Sequence, residues 1–137
     1  MKKYLGSCLC EAILFEVSAF EKNIGHCHCT MCQKFHGAAF STFAEVKIEN
    51  LLCLQGTECI KSYTAPNKTI RKFCGECGSS LFFSSPFNEK AKTIEVALTC
   101  LNSSDGLQPN AHIYMHSKVP WLSINDDLPK YKEYREE

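Results

Sequence analysis

The chain has 137 residues, 45% of them hydrophobic, with 15 Lys plus Arg set against 15 Asp plus Glu. That length fits one domain over residues 1–137 and is enough to bury about two thirds of the unfolded surface, so a proper core is expected. A formal net charge of zero excludes the electrostatic footprint of a nucleic-acid binder or of a protein held on an anionic membrane surface.

In chain order, Met1-Lys2-Lys3 has the charge of a signal-peptide start, but Gly6, Ser7, Cys8, Cys10 and Glu11 break the apolar run behind it. No stretch approaches the roughly 18 apolar residues of a membrane span. A cytoplasmic chain is expected, and in a reducing compartment its ten cysteines point to metal rather than to disulfides. Cys8-Leu9-Cys10 is a CxC knuckle that leads into Ala12–Val17, a strand by its β-branched and aromatic residues. Asn23 to His26 leads into Cys27-His28-Cys29-Thr30-Met31-Cys32, three thiols in six residues. Gln33 to His36 suits one helical turn ended by Gly37, and Ala38–Val46 reads as a strand.

Leu51–Gly56 and Cys59–Tyr63 are two further strand candidates, and Ala65-Pro66-Asn67-Lys68 is a turn. Ile70–Phe73 runs as a strand into Cys74-Gly75-Glu76-Cys77-Gly78, a CxxCG knuckle whose glycines let backbone amides approach the sulfurs. Leu81–Phe83 and Thr93–Leu98 add strands, with Ser84-Ser85-Pro86 as a break between them. Asn102–Asn110 is a polar loop, His112–His116 a last strand, and the charged tail from Pro129 a helical turn or a frayed end. Many short strands with little helical periodicity predict a mainly β chain, a sandwich or folded-over sheet stapled by metal knuckles.

Seven thiols stand in knuckle spacings. The trio Cys27, Cys29 and Cys32 closes on one ion by itself, so the simplest partition groups Cys8 and Cys10 with Cys74 and Cys77 in a closed, structural zinc site. A rival tetrad of Cys27, Cys29, Cys74 and Cys77 leaves Cys8 and Cys10 without a complete site. Three protein ligands leave a four-coordinate zinc one position open, the arrangement of catalytic zinc. His28 is either a fourth ligand or an outward imidazole supporting the ligands. Cys53, Cys59 and Cys100 read as small buried hydrophobes, and His26, His36 and His116 as ordinary structural histidines.

These residues resemble a family. The CxC, the CHCxxC followed by Lys34 and Gly37-Ala38, Arg71-x-Phe73-Cys74-x-x-Cys77-Gly78-Ser79-x-Leu81, Pro109-x-x-His112-Ile113 and Pro120-Trp121 are similar to the glutathione-dependent formaldehyde-activating enzymes, also called the centromere protein V family. The likeness runs from about Gly6 to Tyr131. It implies an Mss4-like fold, a structural zinc on Cys8, Cys10, Cys74 and Cys77, and a catalytic zinc on Cys27, Cys29 and Cys32, two zinc ions per chain. The implied activity is addition of glutathione to formaldehyde, a carbon-sulfur lyase reaction in reverse. The chain departs from the family pattern at Gln33, where Arg is common, and at Thr99–Asn102, where Gly-x-Leu-Asp is common.

Two zinc ions on seven thiolates carry the chain to a net charge of about −3, further from any nucleic acid. A zinc on three thiolates is a weak Lewis acid but holds an incoming thiol as its nucleophilic thiolate. The partners expected are a small thiol such as glutathione and a small carbonyl. Lys34, Arg71, Gly78, Ser79 and His112 are the candidates for contact with the substrate. A thiol-binding protein without turnover and a zinc-stapled interaction module are the alternatives.

Overall fold

A computed structural model describes residues 2–135. Ten strands and, among the described residues, two short α-helices make the chain mainly β, as its short alternating runs predict. The strands are β1 Tyr4–Ser7, β2 Leu14–Val17, β3 Ile24–Cys27, β4 Ser41–Lys47, β5 Leu51–Gln55, β6 Ile60–Thr64, β7 Ile70–Cys74, β8 Ser80–Ser84, β9 Thr93–Ala97 and β10 Ala111–Ile113. The helices are α1 Thr30–His36 and α2 Pro86–Ala91. Among the described residues no helix is long and apolar enough to cross a membrane.

The chain forms two compact units. The first runs to Lys22 and resumes over Ala44–Gly106. In it β1, β2 and β5 form one antiparallel sheet, and β6, β7, β8 and β9 pair antiparallel in chain order. β2 alternates as a half-buried strand must: Phe15 and Val17 are fully buried, Leu14 and Glu16 only half. The Phe15 ring meets Phe82 edge-on at 5.1 Å, and Ile13, Val46, Leu81 and Val96 complete this core. Gly56, with φ of 82°, turns the chain out of β5 where a Cβ would stand 2.0 Å from the Ala12 carbonyl oxygen, so the position admits no side chain.

Ser84-Ser85-Pro86, expected as a plain break, begins α2 instead. Ser85 and Asn88 form a reciprocal capping box and Pro86 occupies the first helical turn, so the residues that stop β8 start a helix.

The second unit takes Asn23–Phe43 and continues from Leu107. Here β3 and β10 pair in parallel, His112 opposite His26 and Ile113 opposite Cys27. The strand expected over His112–His116 stops at Ile113. Tyr114 adopts a left-handed conformation and Met115–Ser117 is a 3-10 turn. The tail beyond Pro129 is neither helical nor frayed in its described part. His112 N–H donates to the Pro129 carbonyl and Tyr131 N–H to the His112 carbonyl, both at 2.9 Å, and Arg135 reaches the Asn110 side chain at 2.7 Å. Residues 136 and 137 of that tail lie outside the described residues.

Candidate metal and thiol site

The knuckle thiols gather in two groups. The ligand atoms of Cys8, Cys10, Cys74 and Cys77 lie within 4.8 Å of one another, and so do those of Cys27, Cys29 and Cys32. The grouping is the one ligand counting favours; the rival tetrad does not form. No disulfide joins any of the ten cysteines.

The tetrad belongs wholly to the first unit and is built by turns at each end. Glu11, at φ of 64°, brings the chain round so that Cys8 N–H bonds the Ile13 carbonyl at 3.2 Å and Ile13 N–H meets the Cys8 sulfur at 3.3 Å. At the other knuckle, Glu76 and Cys77 N–H groups face the Cys74 sulfur at 3.3 and 3.4 Å. Amides turned toward sulfur stabilise thiolate, the ligand form, so the donor set fits a closed zinc site. Gly78, at φ of 80°, and Ser79 serve this knuckle: the Ser79 hydroxyl lies 3.2 Å from the Cys77 sulfur and accepts from Leu9 N–H at 2.8 Å. That hydroxyl, followed by backbone amides of Ser79 and Cys10, holds the Cys77 thiol down at about 5.

In the second unit the trio straddles the junction of β3 and α1. Cys27 ends β3, Cys29 caps α1 by accepting from Cys32 N–H at 3.3 Å, and Cys32 lies in the first turn. The helix closes at Gly37, whose φ of 60° needs no Cβ. Hydrogen bonds from Cys27 and Cys29 pull the Cys32 thiol down, and His36 and Ser41 add to that pull. Cys27 is pushed up, first by Cys29 and Cys32 and then by burial. Three thiol sulfurs within 4.8 Å of one another fit one cation in place of their protons. His36, read from the sequence as an ordinary histidine, follows Cys32 by four residues on the same face of α1.

His28 is not a member of the trio. Strand neighbours point to opposite faces, and His28 turns away from Cys27 to the face where His26 and His112 stack, with ring centres 4.8–5.1 Å apart. Fully buried, its Nε2 meets His112 Nδ1 at 2.9 Å, and the other nitrogen of His112 donates to the Asp126 carboxylate at 2.8 Å. This bond from His112 holds the Asp126 carboxyl down at about 2. Burial, then the charge of His112, pushes His28 down to about 4, so it is neutral at pH 7. His112 therefore underpins the CHC turn. We expect His112→Ala to destabilise the protein by roughly 1–3 kcal/mol, the cost of stranding a buried polar partner, read as a lowered urea midpoint; an unchanged midpoint contradicts this role.

The remaining candidates scatter. Lys34 is exposed on α1, whereas Arg71 is buried in β7 of the first unit with its guanidinium 5.2 Å from the Phe83 ring centre. Cys53, Cys59 and Cys100 are half-buried rather than core residues. Cys100 donates to the Ser80 carbonyl at 3.2 Å. Gln33, which follows the last thiol of the trio, bridges two carbonyls, those of His28 and Ser117, at 2.8 Å each.

Comparison with known proteins agrees with this geometry. A family model described as glutathione-dependent formaldehyde-activating enzyme matches residues 3–117. An uncharacterized lyase of Schizosaccharomyces pombe is 29% identical over 83 residues, 61% of this chain and 58% of that protein, so the match spans little more than half the relative's length. A crystal structure of a Rhodobacter sphaeroides protein superposes with a TM-score of 0.61 at 22% identity, covering 79% of this chain and 92% of the other, a likeness of fold.

Proposed function

Because the chain belongs to the glutathione-dependent formaldehyde-activating enzyme family, we propose that it is a zinc-dependent carbon-sulfur lyase, adding the thiol of glutathione to formaldehyde or a related small electrophile. The observation that carries this reading is the incomplete trio: Cys27, Cys29 and Cys32 converge, and among the described residues no fourth ligand joins them.

In this reading Cys8, Cys10, Cys74 and Cys77 hold a structural zinc and the trio holds a second. The second ion would supply an open position at which an incoming thiol gives up its proton. The chain's own residues do the rest. The His28–His112–Asp126 chain supports the turn, and two reactants held side by side gain by proximity. Sulfur bonds to the carbonyl carbon, the carbon-oxygen π pair moves to oxygen, and oxygen takes up the proton that the thiol released. Ten cysteines without a disulfide among them suit a reducing cytoplasm, and the zero net charge suits small-molecule partners rather than nucleic acid.

Exchange NMR on labelled formaldehyde with glutathione tests the reading, comparing zinc-loaded protein, metal-stripped protein and buffer. Faster exchange with the loaded protein alone supports it. Exchange at the buffer rate with glutathione still bound makes the protein a thiol carrier, and no glutathione binding makes it a zinc-stapled interaction module.

A further inference from the structure

The first unit holds a cavity of about 180 Å³. Phe15 of β2 and Leu51 and Cys53 of β5 line it from one sheet. From the other, β6 to β9 contribute Ile60, Lys72, Phe82 and Ile94. Phe15, Phe82 and Ile94 are buried and make the walls apolar. An apolar cavity of about 150 Å³ is large enough to take up a benzene ring.

Lys72 is out of keeping with that lining. It stands opposite Phe82 across the ladder of β7 and β8, and opposite residues share a face, so it occupies the side of the sheet on which Phe82 meets Phe15. It is half-buried, and among the described residues no hydrogen bond or ion pair holds its ammonium group. Lysine is rarely buried without a partner, because its charge leaves water at a cost; a methionine would fill the same place without that cost. Two ladder shifts adjoin the cavity, one between Lys72 and Phe73 and one between Leu14 and Phe15, beside the pair of Phe15 and Cys53. Such irregularities re-aim side chains and are common next to functional sites.

The lining also sets the charge of an occupant. Lys72 supplies one positive charge. Cys53 has no hydrogen to spare, since its thiol donates to the Gln55 carbonyl at 3.3 Å and accepts from the Thr57 hydroxyl at 3.2 Å. A phosphate dianion would keep one charge unmatched and several oxygens without donors among apolar walls. A single carboxylate matches one ammonium. We propose that this cavity is a binding site for a small apolar monocarboxylate, its hydrocarbon against the apolar walls and its carboxylate on the Lys72 ammonium. None of the lining residues belongs to either group of knuckle thiols, so the site goes beyond the thiol-addition reading and does not depend on it.

Methyl NMR of the full zinc-loaded chain tests this, with benzoate as the probe, benzyl alcohol as a ring without the charge, and acetate as the charge without the ring. Benzoate is expected to shift the methyl signals of Leu51, Ile60 and Ile94 saturably and to leave those of Ile24 and Ile113, in the second unit, in place. On the wild type it should bind about ten-fold or more tightly than benzyl alcohol, the size of effect a hydrogen bond to a charged group gives. Lys72→Met, which keeps the stem and removes the charge, should bind benzoate about ten-fold or more weakly and benzyl alcohol as the wild type does. Benzoate shifts that do not saturate, benzyl alcohol matching benzoate on the wild type, or benzoate bound by Lys72→Met at wild-type strength each overturns the proposal. Acetate shifting the same methyls with the affinity of benzoate also overturns it, because the apolar walls then contribute nothing.

Discussion

Cys74→Ser is expected to release one zinc per chain and to abolish the cooperative thermal transition. Cys74 is fully buried at the end of β7, and two backbone N–H groups face its sulfur. A serine hydroxyl is no substitute for a thiolate ligand and would leave those amides without their acceptor. The tetrad joins the knuckle before β2 to the knuckle after β7, distant in sequence, so the ion closes a long loop. Structural zinc binding is worth about 10–16 kcal/mol in small domains, against a total stability of about 5–15 kcal/mol for a typical domain. Loss of the ion therefore exceeds what the core of Phe15, Leu81 and Val96 is expected to supply alone. Metal analysis by plasma emission and a circular-dichroism melt check both parts; a mutant with full zinc content and the wild-type melt removes the tetrad from the account.

Cys32→Ser is expected to act in the other direction: little change in fold, complete loss of thiol binding. Cys32 is 2% exposed and sits inside α1, but the cap of that helix is the Cys29 sulfur, which accepts from the backbone of residue 32 whatever its side chain. Serine at this position keeps that bond, and Gln33 keeps its bridge to His28 and Ser117. What goes is one of three ligands, and two thiolates cannot keep a zinc against solvent. The mutant should carry one zinc instead of two, melt within a few degrees of the wild type, and bind glutathione at least about 100-fold more weakly by calorimetry. Glutathione binding at wild-type strength in this mutant places the thiol somewhere other than the trio.

The two expectations differ because the two clusters differ in how the chain builds them, and the same difference explains what the sequence disclosed. The trio is local: three cysteines in six residues must lie together in any fold, and CxxC knuckles announce themselves by spacing. β2 was equally legible, because Ile13, Phe15 and Val17 supply the β-branched and aromatic residues that suit a strand. Pairings across long separations were not. His28 meets His112 across 84 positions, and nothing local in either segment names its partner. α2 escaped because Ser85 and Pro86 break a strand and cap a helix with the same chemistry. Tyr114 escaped for a tertiary reason: His112 to His116 alternates well enough for a strand, and the left-handed turn is imposed by Glu133, Ser117 and Gln33 from outside that segment.

Cadmium-113 NMR of the protein loaded with two cadmium ions tests the incomplete trio most directly, since the cadmium shift reports how many sulfurs surround each ion. Two resonances are predicted, one at a four-sulfur position from the tetrad and one displaced from it by the trio's missing sulfur. Adding glutathione should move only the second, toward the four-sulfur position, as its thiol completes the set. Two four-sulfur resonances before glutathione is added, or a second resonance that glutathione leaves unmoved, would contradict an open site that receives a thiol.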